Sequence, residues 1–179
     1  PEERLTALRS AADQGDAGAM TALAIAYRTG DGATRDAAEG NRWLERAVEQ
    51  GYPDAEMYLG HSYLKGEGYP VDEPRGVDLL RRAAEADNAG AQHYLAEAYR
   101  NGRGGLPKDA AQAAEWYRKA AEQGLAESQL ALAILYTTGA DGVPQDLVQA
   151  AVWYRAAADQ GYAVAQHNLG FMYLKGDGV

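Results

Sequence analysis

Tyr63–Gly68 reads YLKGEG and Tyr173–Gly178 reads YLKGDG, nearly the same six residues 110 positions apart. The tyrosine belongs to a series: Tyr27, Tyr63, Tyr99, Tyr136 and Tyr173 are separated by 36, 36, 37 and 37 residues. A leucine stands four positions before each (Leu23, Leu59, Leu95, Leu132, Leu169), and a glycine three positions after (Gly30, Gly66, Gly102, Gly139, Gly176). Self-similarity at this period marks a repeat architecture, in which one supersecondary unit cannot bury its apolar face without a neighbour.

Each unit holds two helical patterns. In DAEMYLGHSYLKG (54–66), Ala55, Leu59, Ser62 and Tyr63 share one face of a 3.6-residue period. The closing glycine suits a helix end that needs φ > 0. The second pattern is AAEWYRKAAEQG (113–124), with EGNRWLERAVEQG, GVDLLRRAAEAD and AAVWYRAAADQG as counterparts. Its large apolar stations, Trp43, Leu79, Trp116 and Trp153, are each followed four residues later by alanine (Ala47, Ala83, Ala120, Ala157). A large residue over a small one lets two helices interlock at short distance. Asp36, Asp72, Asp109 and Asp146 precede these second helices, where a carboxylate can accept the orphan N–H groups of the first turn.

The pattern predicts an all-α chain, a right-handed α/α solenoid of 36–37-residue helix-turn-helix repeats with about ten helices and no strand. One solenoid domain is expected over 1–179, with a partial repeat at 1–14, repeats starting near 15, 51, 87 and 124, and a partial repeat at 161–179. Terminal repeats usually need a polar cap. Here Leu5 and Leu8 open the array and Met172 and Tyr173 close it, so the ends are expected to make end-to-end self-contacts or to adjoin further residues of a longer protein.

Composition narrows the function classes. Hydrophobic residues make up 46%, Phe occurs once and Tyr twelve times. A net charge of −9 gives no sequence-independent attraction to phosphate backbones or anionic membranes, so nucleic acid is not an expected partner. No apolar run approaches the roughly 18–20 residues that span a bilayer, so membrane insertion is not expected. With no cysteine there is neither a disulfide framework nor a thiolate metal site, and the compartment stays open between periplasm and cytoplasm.

These residues resemble the Sel-one-like repeat (SLR), a relative of the tetratricopeptide repeat. Its unit runs A-x-x-x-L-G-x-x-Y-x-x-G, a Gly/Pro loop with Asp, then A-x-x-W-Y-x-x-A-A-x-x-G. AQHNLGFMYLKGDGV and the QLALAILYTTGADGVPQDLVQAAVWYRAAADQG before it follow that pattern. The glycine after the leucine is kept as Gly60 and Gly170 and replaced by Ala24, Ala96 and Ala133. The repeat-boundary glycine is Asp87 in one unit, where one turn is expected to shift. The resemblance implies a non-catalytic bacterial scaffold or adaptor, with an inhibitor or immunity protein of a bacterial toxin, or a cell-wall-related enzyme or binder, as alternatives. Its partner would be a protein or peptide, with no cofactor.

Two constellations could carry chemistry. Ser62-Tyr63-Leu64-Lys65 matches S-x-x-K, the serine–lysine pair of penicillin-recognising acylases. Ser62, however, fills a station held elsewhere by Ala26, Ala98, Leu135 and Met172, and the companion S-D-N and K-T-G words are absent. His61 projects about 160–200° from the core stripe of its helix, and His93 and Glu97 lie four apart on the corresponding face of the next unit. Two imidazoles and a carboxylate could hold a metal such as Zn²⁺, but three polar residues on a wet surface are the plainer reading.

That same face carries apolar side chains. In a tetratricopeptide-like solenoid, first helices line the concave surface. The resemblance therefore implies a partner-binding groove formed by Ile25, Met57, His61, Leu64, His93, Glu97, Arg100, Leu130, Ile134, His167 and Phe171. Some of these residues could instead pack against neighbouring helices.

Overall fold

A computed structural model describes residues 2–179. Pro1, first residue of the expected partial repeat 1–14, lies outside the described residues. Ten helices follow one another: α1 (Glu2–Asp13), α2 (Ala17–Thr29), α3 (Ala37–Val48), α4 (Pro53–Lys65), α5 (Glu73–Glu85), α6 (Ala89–Asn101), α7 (Ala110–Glu122), α8 (Ala126–Thr138), α9 (Leu147–Asp159) and α10 (Ala163–Lys175). Apart from one isolated bridge, Ala140 to Val143, the described residues hold no β pairing. The chain divides into two compact units, Pro1–Ala91 and Gln92–Val179.

The repeated words have repeated bonds. The backbone N–H of each capping aspartate donates to the carbonyl of the station tyrosine before it: Asp36 to Tyr27 (2.7 Å), Asp72 to Tyr63 (3.0 Å), Asp109 to Tyr99 (2.9 Å) and Asp146 to Tyr136 (2.9 Å). Each aspartate side chain then accepts the N–H three residues on, from Glu39, Arg75, Gln112 and Gln149. The aspartate thus closes the hairpin and starts the second helix at once, which explains its fixed place in the period.

In the first unit, Met20, Leu23, Leu44, Leu59, Tyr63 and Leu79 form the core, with Leu5 and Leu8 of α1 packed on it. Fully burying a leucine such as Leu44 contributes about 1.5–3 kcal/mol. Helices α4 and α5 meet through glycines. A Cβ on Gly60 would stand 2.9 Å from the Gly76 carbonyl oxygen, and one on Gly76 would stand 2.8 Å from the Gly60 oxygen. Glu56 is buried beside this contact and paired with Arg82 at 2.5 Å. Burial pushes its carboxyl above the usual range and Arg82 pulls it back.

In the second unit one cluster gathers Ala96, Tyr117, Leu132, Leu135 and Val143, and another gathers Ala133, Tyr154, Ala165 and Met172. Glutamine side chains tie the two helices of a hairpin together: Gln123 Nε2 donates to Gln92 Oε1 across α6 and α7, and Gln160 Nε2 to Gln129 Oε1 across α8 and α9, both at 2.9 Å. Gln129 in turn donates to the Ala121 carbonyl at 3.1 Å. The buried amides of Gln92 and Gln129 are thereby satisfied within their own hairpins, and Gln129 also by the hairpin before it.

Four expectations change. Asp87 does not shift its turn: it takes φ 61, the left-handed conformation of the glycines it replaces. Its N–H bonds Ala84 O and that of Asn88 bonds Ala83 O, as Gly124 bonds Ala121 O and Leu125 bonds Ala120 O. A short polar side chain tolerates that region far better than a branched one. On the second helices the deepest large residue is the one after the expected station: Leu44, Leu80 and Tyr117 are fully buried and Tyr154 is 3% exposed, while Trp116 and Trp153 are only partly covered. Among the station tyrosines only Tyr63 is buried; Tyr99 is half-buried and Tyr173 is 52% exposed. Met172, expected at an open end, is buried between α9 and α10.

Candidate functional site

The expected site residues fall into two sets. In the first unit, Ile25, Met57 and His61 are half-buried on α2 and α4. Leu64 does not belong with them. It is 6% exposed and its Cγ lies 3.0 Å from where a Cβ on Gly76 would be, so it fills the space left by that glycine. Thr21, on the same wheel position as the open face, is likewise buried and donates to the Ala17 carbonyl at 2.8 Å. The glycine contact draws α5 over this side of α4 and narrows the open face.

A pair that the sequence did not single out lies beside His61. Arg28 of α2 reaches Glu67 at 2.5 Å and donates to the Tyr58 carbonyl at 3.3 Å. The Arg28 hydrogen bond holds the Glu67 carboxyl below its ordinary range, and the His61 charge acts the same way. The arginine side chain is 12% exposed and the glutamate 44%, so the pair is covered at its arginine end and open to water at the other. Its signal was the acidic residue four places after the station tyrosine, Glu67 here and Asp31 and Asp177 in two other units.

In the second unit, His93 is directed inward. Its Nδ1 lies 2.8 Å from the Ser128 hydroxyl, and its ring is tilted against Tyr117 with centroids 5.4 Å apart. Burial lowers its pKa, Glu97 and Glu127 oppose the shift, and Arg100 adds to it. A ring nitrogen engaged with Ser128 is occupied by the fold. No group of three or more His, Asp or Glu side chains able to hold a metal ion is found among the described residues.

The free apolar area gathers further along this unit. Leu130 is half-buried, Ile134 37% exposed, His167 exposed and Phe171 51% exposed, with Leu174 beyond it at 87%. The Lys175 ammonium lies 4.4 Å from the Phe171 ring centroid. A cavity of about 320 Å³ opens here, with Leu147, Tyr154, Phe171 and Met172 as apolar lining and Thr137, Gln145, Asn168, Lys175 and Asp177 as polar lining. Gln145 donates to the Thr137 carbonyl at 2.7 Å, so part of that rim is fixed before anything binds.

The serine of the S-x-x-K word is closed to substrate. Ser62 is fully buried and its hydroxyl donates to the Tyr58 carbonyl at 3.0 Å, one helical turn back. No described helix is long and apolar enough to cross a membrane.

Comparison with known proteins accounts for the period. The Sel1 repeat matches residues 17–52, 53–88, 89–125, 126–162 and 163–179. No curated protein sequence matches the chain. Among solved structures, a protective antigen of uropathogenic Escherichia coli strains with an SLR fold is 37% identical at a TM-score of 0.87, over 96% of this chain and 36% of that one. A Sel1 repeat protein from Oxalobacter formigenes is 30% identical at a TM-score of 0.85, over 92% of this chain and 66% of that one. An immunity protein of Pseudomonas aeruginosa, 21% identical at a TM-score of 0.64 over 90% of this chain and 59% of that one, shares the fold. The chain therefore spans about a third and just under two thirds of the length of the first two. Sel1 repeat proteins are tetratricopeptide-like helical solenoids, generally non-catalytic, that typically mediate protein–protein interaction. With five matched segments from residue 17 to residue 179, the chain belongs to the Sel1 repeat family.

Proposed function

We propose that this chain is a non-catalytic interaction module that holds a protein or peptide partner on the exposed faces of its first helices, anchored around Phe171. The observation that carries this reading is the cavity beside Phe171, where a large apolar ring stays half in water at the edge of a polar-rimmed recess. Isolated exposed apolar residues are ordinary on a protein surface; a cluster of Ile134, Phe171 and Leu174 on α8 and α10 is less so. Burial of Phe171 and Ile134 supplies the driving force, and Lys175, Asp177, His167 and Asn168 set orientation. The non-catalytic part of the reading is supported by the inward, bonded Ser62.

The test is site-specific photocrosslinking in the producing cell, with a photoreactive phenylalanine analogue at position 171, at 134, and at the exposed α7 position 122 as control. The expected result is one adduct of the same mass from 171 and 134 and none from 122. An adduct from 122 alone would refute the assignment. Once the partner is purified, Phe171→Ala should weaken binding by about 2 kcal/mol or more, as an anchor residue does, with helicity unchanged.

A further inference from the structure

In the sequence, the residue eighteen before each station tyrosine is Arg9, Glu45, Arg81, Arg118 and Arg155: one repeat reverses the charge. At three of the four arginine stations its role is visible. Arg9 donates to the Tyr27 hydroxyl, Arg118 to that of Tyr136 and Arg155 to that of Tyr173. At Tyr63 no such donor exists, and the loop rearranges. Tyr69 lays its ring on that of Tyr63, with centroids 5.4 Å apart and planes at 12°, and its hydroxyl donates to the Glu45 carboxylate. The stack and the carboxylate border a concavity of about 680 Å³, whereas the corresponding hollow at Arg118 and Tyr136 is about 200 Å³.

We infer that this concavity in the first unit is a second binding site, which takes an arginine side chain from a partner protein. Three observations converge. Glu45, Asp72 and Glu73 line it against a single cation, Arg75, whereas the hollow at Arg118 balances that arginine against Glu115. The aromatic face already accepts this chemistry, because the Arg75 guanidinium lies 4.5 Å from the Tyr63 ring centroid. A planar guanidinium both stacks on a ring and pairs with a carboxylate through two N–H groups, which an ammonium cannot do. The start of α5 does not repel the guest, because the Asp72 side chain caps it at the Arg75 N–H (3.1 Å). The incoming guanidinium takes the place between Glu45 and the ring stack, and exposed Arg75 swings away. This site lies on the loop side of α4 and α5 and does not depend on the first-helix faces.

The probe is acetyl-Gly-Arg-Gly-amide titrated into the isotopically labelled full chain, with acetyl-Gly-citrulline-Gly-amide as its neutral isostere. Saturable amide shifts at Tyr69 and Val71 are expected with the arginine peptide and absent with citrulline, and they should weaken as salt is raised. Glu45→Arg restores the residue of the other repeats, so the fold is kept, and it should weaken the arginine peptide by roughly tenfold or more. Glu45→Gln is the second variant and should weaken it in the same direction. Absence of any saturable shift, equal shifts with citrulline, or full binding by both Glu45 variants would each overturn the assignment.

Discussion

Tyr117→Phe should make the protein more stable. Tyr117 is fully buried in the second unit, between Ala96, Leu132 and Leu135, and its hydroxyl finds no hydrogen-bond partner. Leaving a desolvated hydroxyl unpaired costs about 1–3 kcal/mol. Phenylalanine keeps the ring and deletes one oxygen, leaving a void on the order of 10 Å³, worth about 0.2 kcal/mol at roughly 24 cal/mol per Å³. The net gain is therefore about 1–3 kcal/mol, a rise of about 2–4 °C per kcal/mol for a chain of this size.

The same hydroxyl gives an alkaline signature. Burial pushes its pKa from 10.0 to about 12. Because the folded value is raised, the neutral phenol favours the folded state at all lower pH. That contribution is lost as pH climbs from about 10 to about 12, by roughly 3 kcal/mol for two units. Urea melts of parent and variant at neutral pH and near pH 11 measure both effects, and tyrosinate absorbance should lose its last-titrating phenol in the variant. A variant less stable than the parent by about 1 kcal/mol at neutral pH, with the same alkaline loss, would refute the reasoning and mean that the hydroxyl is bonded after all.

Other consequences follow from single contacts. Gly60→Ala should cost about 1–3 kcal/mol by forcing α4 off α5, whereas Gly170→Ala, whose Cβ would meet nothing within 4 Å, should not destabilise; thermal melts separate them. Asp146→Ala removes the cap on Gln149 N–H and should cost about 1 kcal/mol, with Asp146→Ser largely retaining it. His93, held below its ordinary pKa by burial, stabilises the fold while neutral. That contribution is lost as pH falls below about 6.5, where the unfolded chain takes the proton first, so His93→Gln should flatten the acid limb of the stability profile.

The parts of the candidate site that were legible were those fixed by spacing. Phe171 and Ile134 stand out on a helical wheel and remain exposed, since their sides of α8 and α10 face the recess or water. Leu64 and Thr21 stand at similar wheel positions and are buried. A wheel records one helix, but an inner helix of a stacked array touches helices on two sides, so its free face is narrower than half the circle. Glu45 and Tyr69 were hidden for a different reason: they occupy, or answer, a position where one repeat departs from the others, and a period is read by ignoring departures.

What the sequence by itself determined was the helix inventory, the hairpin length and the family. These depend on local chemistry, such as an aspartate at the start of a helix and a glycine at positive φ after it, and local chemistry repeats wherever the residues do. Tertiary structure alone decided which of two adjacent large residues is the core residue, Trp116 or Tyr117, because both lie on the apolar side and differ by about 100°. It also decided that Asp87 would bend as glycine does, that Gly60 and Gly76 would let two backbones meet, and that Glu45 would take the hydroxyl of Tyr69 where arginine in three other units engages the station tyrosine. Each is settled by what the neighbouring helix or loop brings within a few ångströms, and no period in one strand of text records that distance.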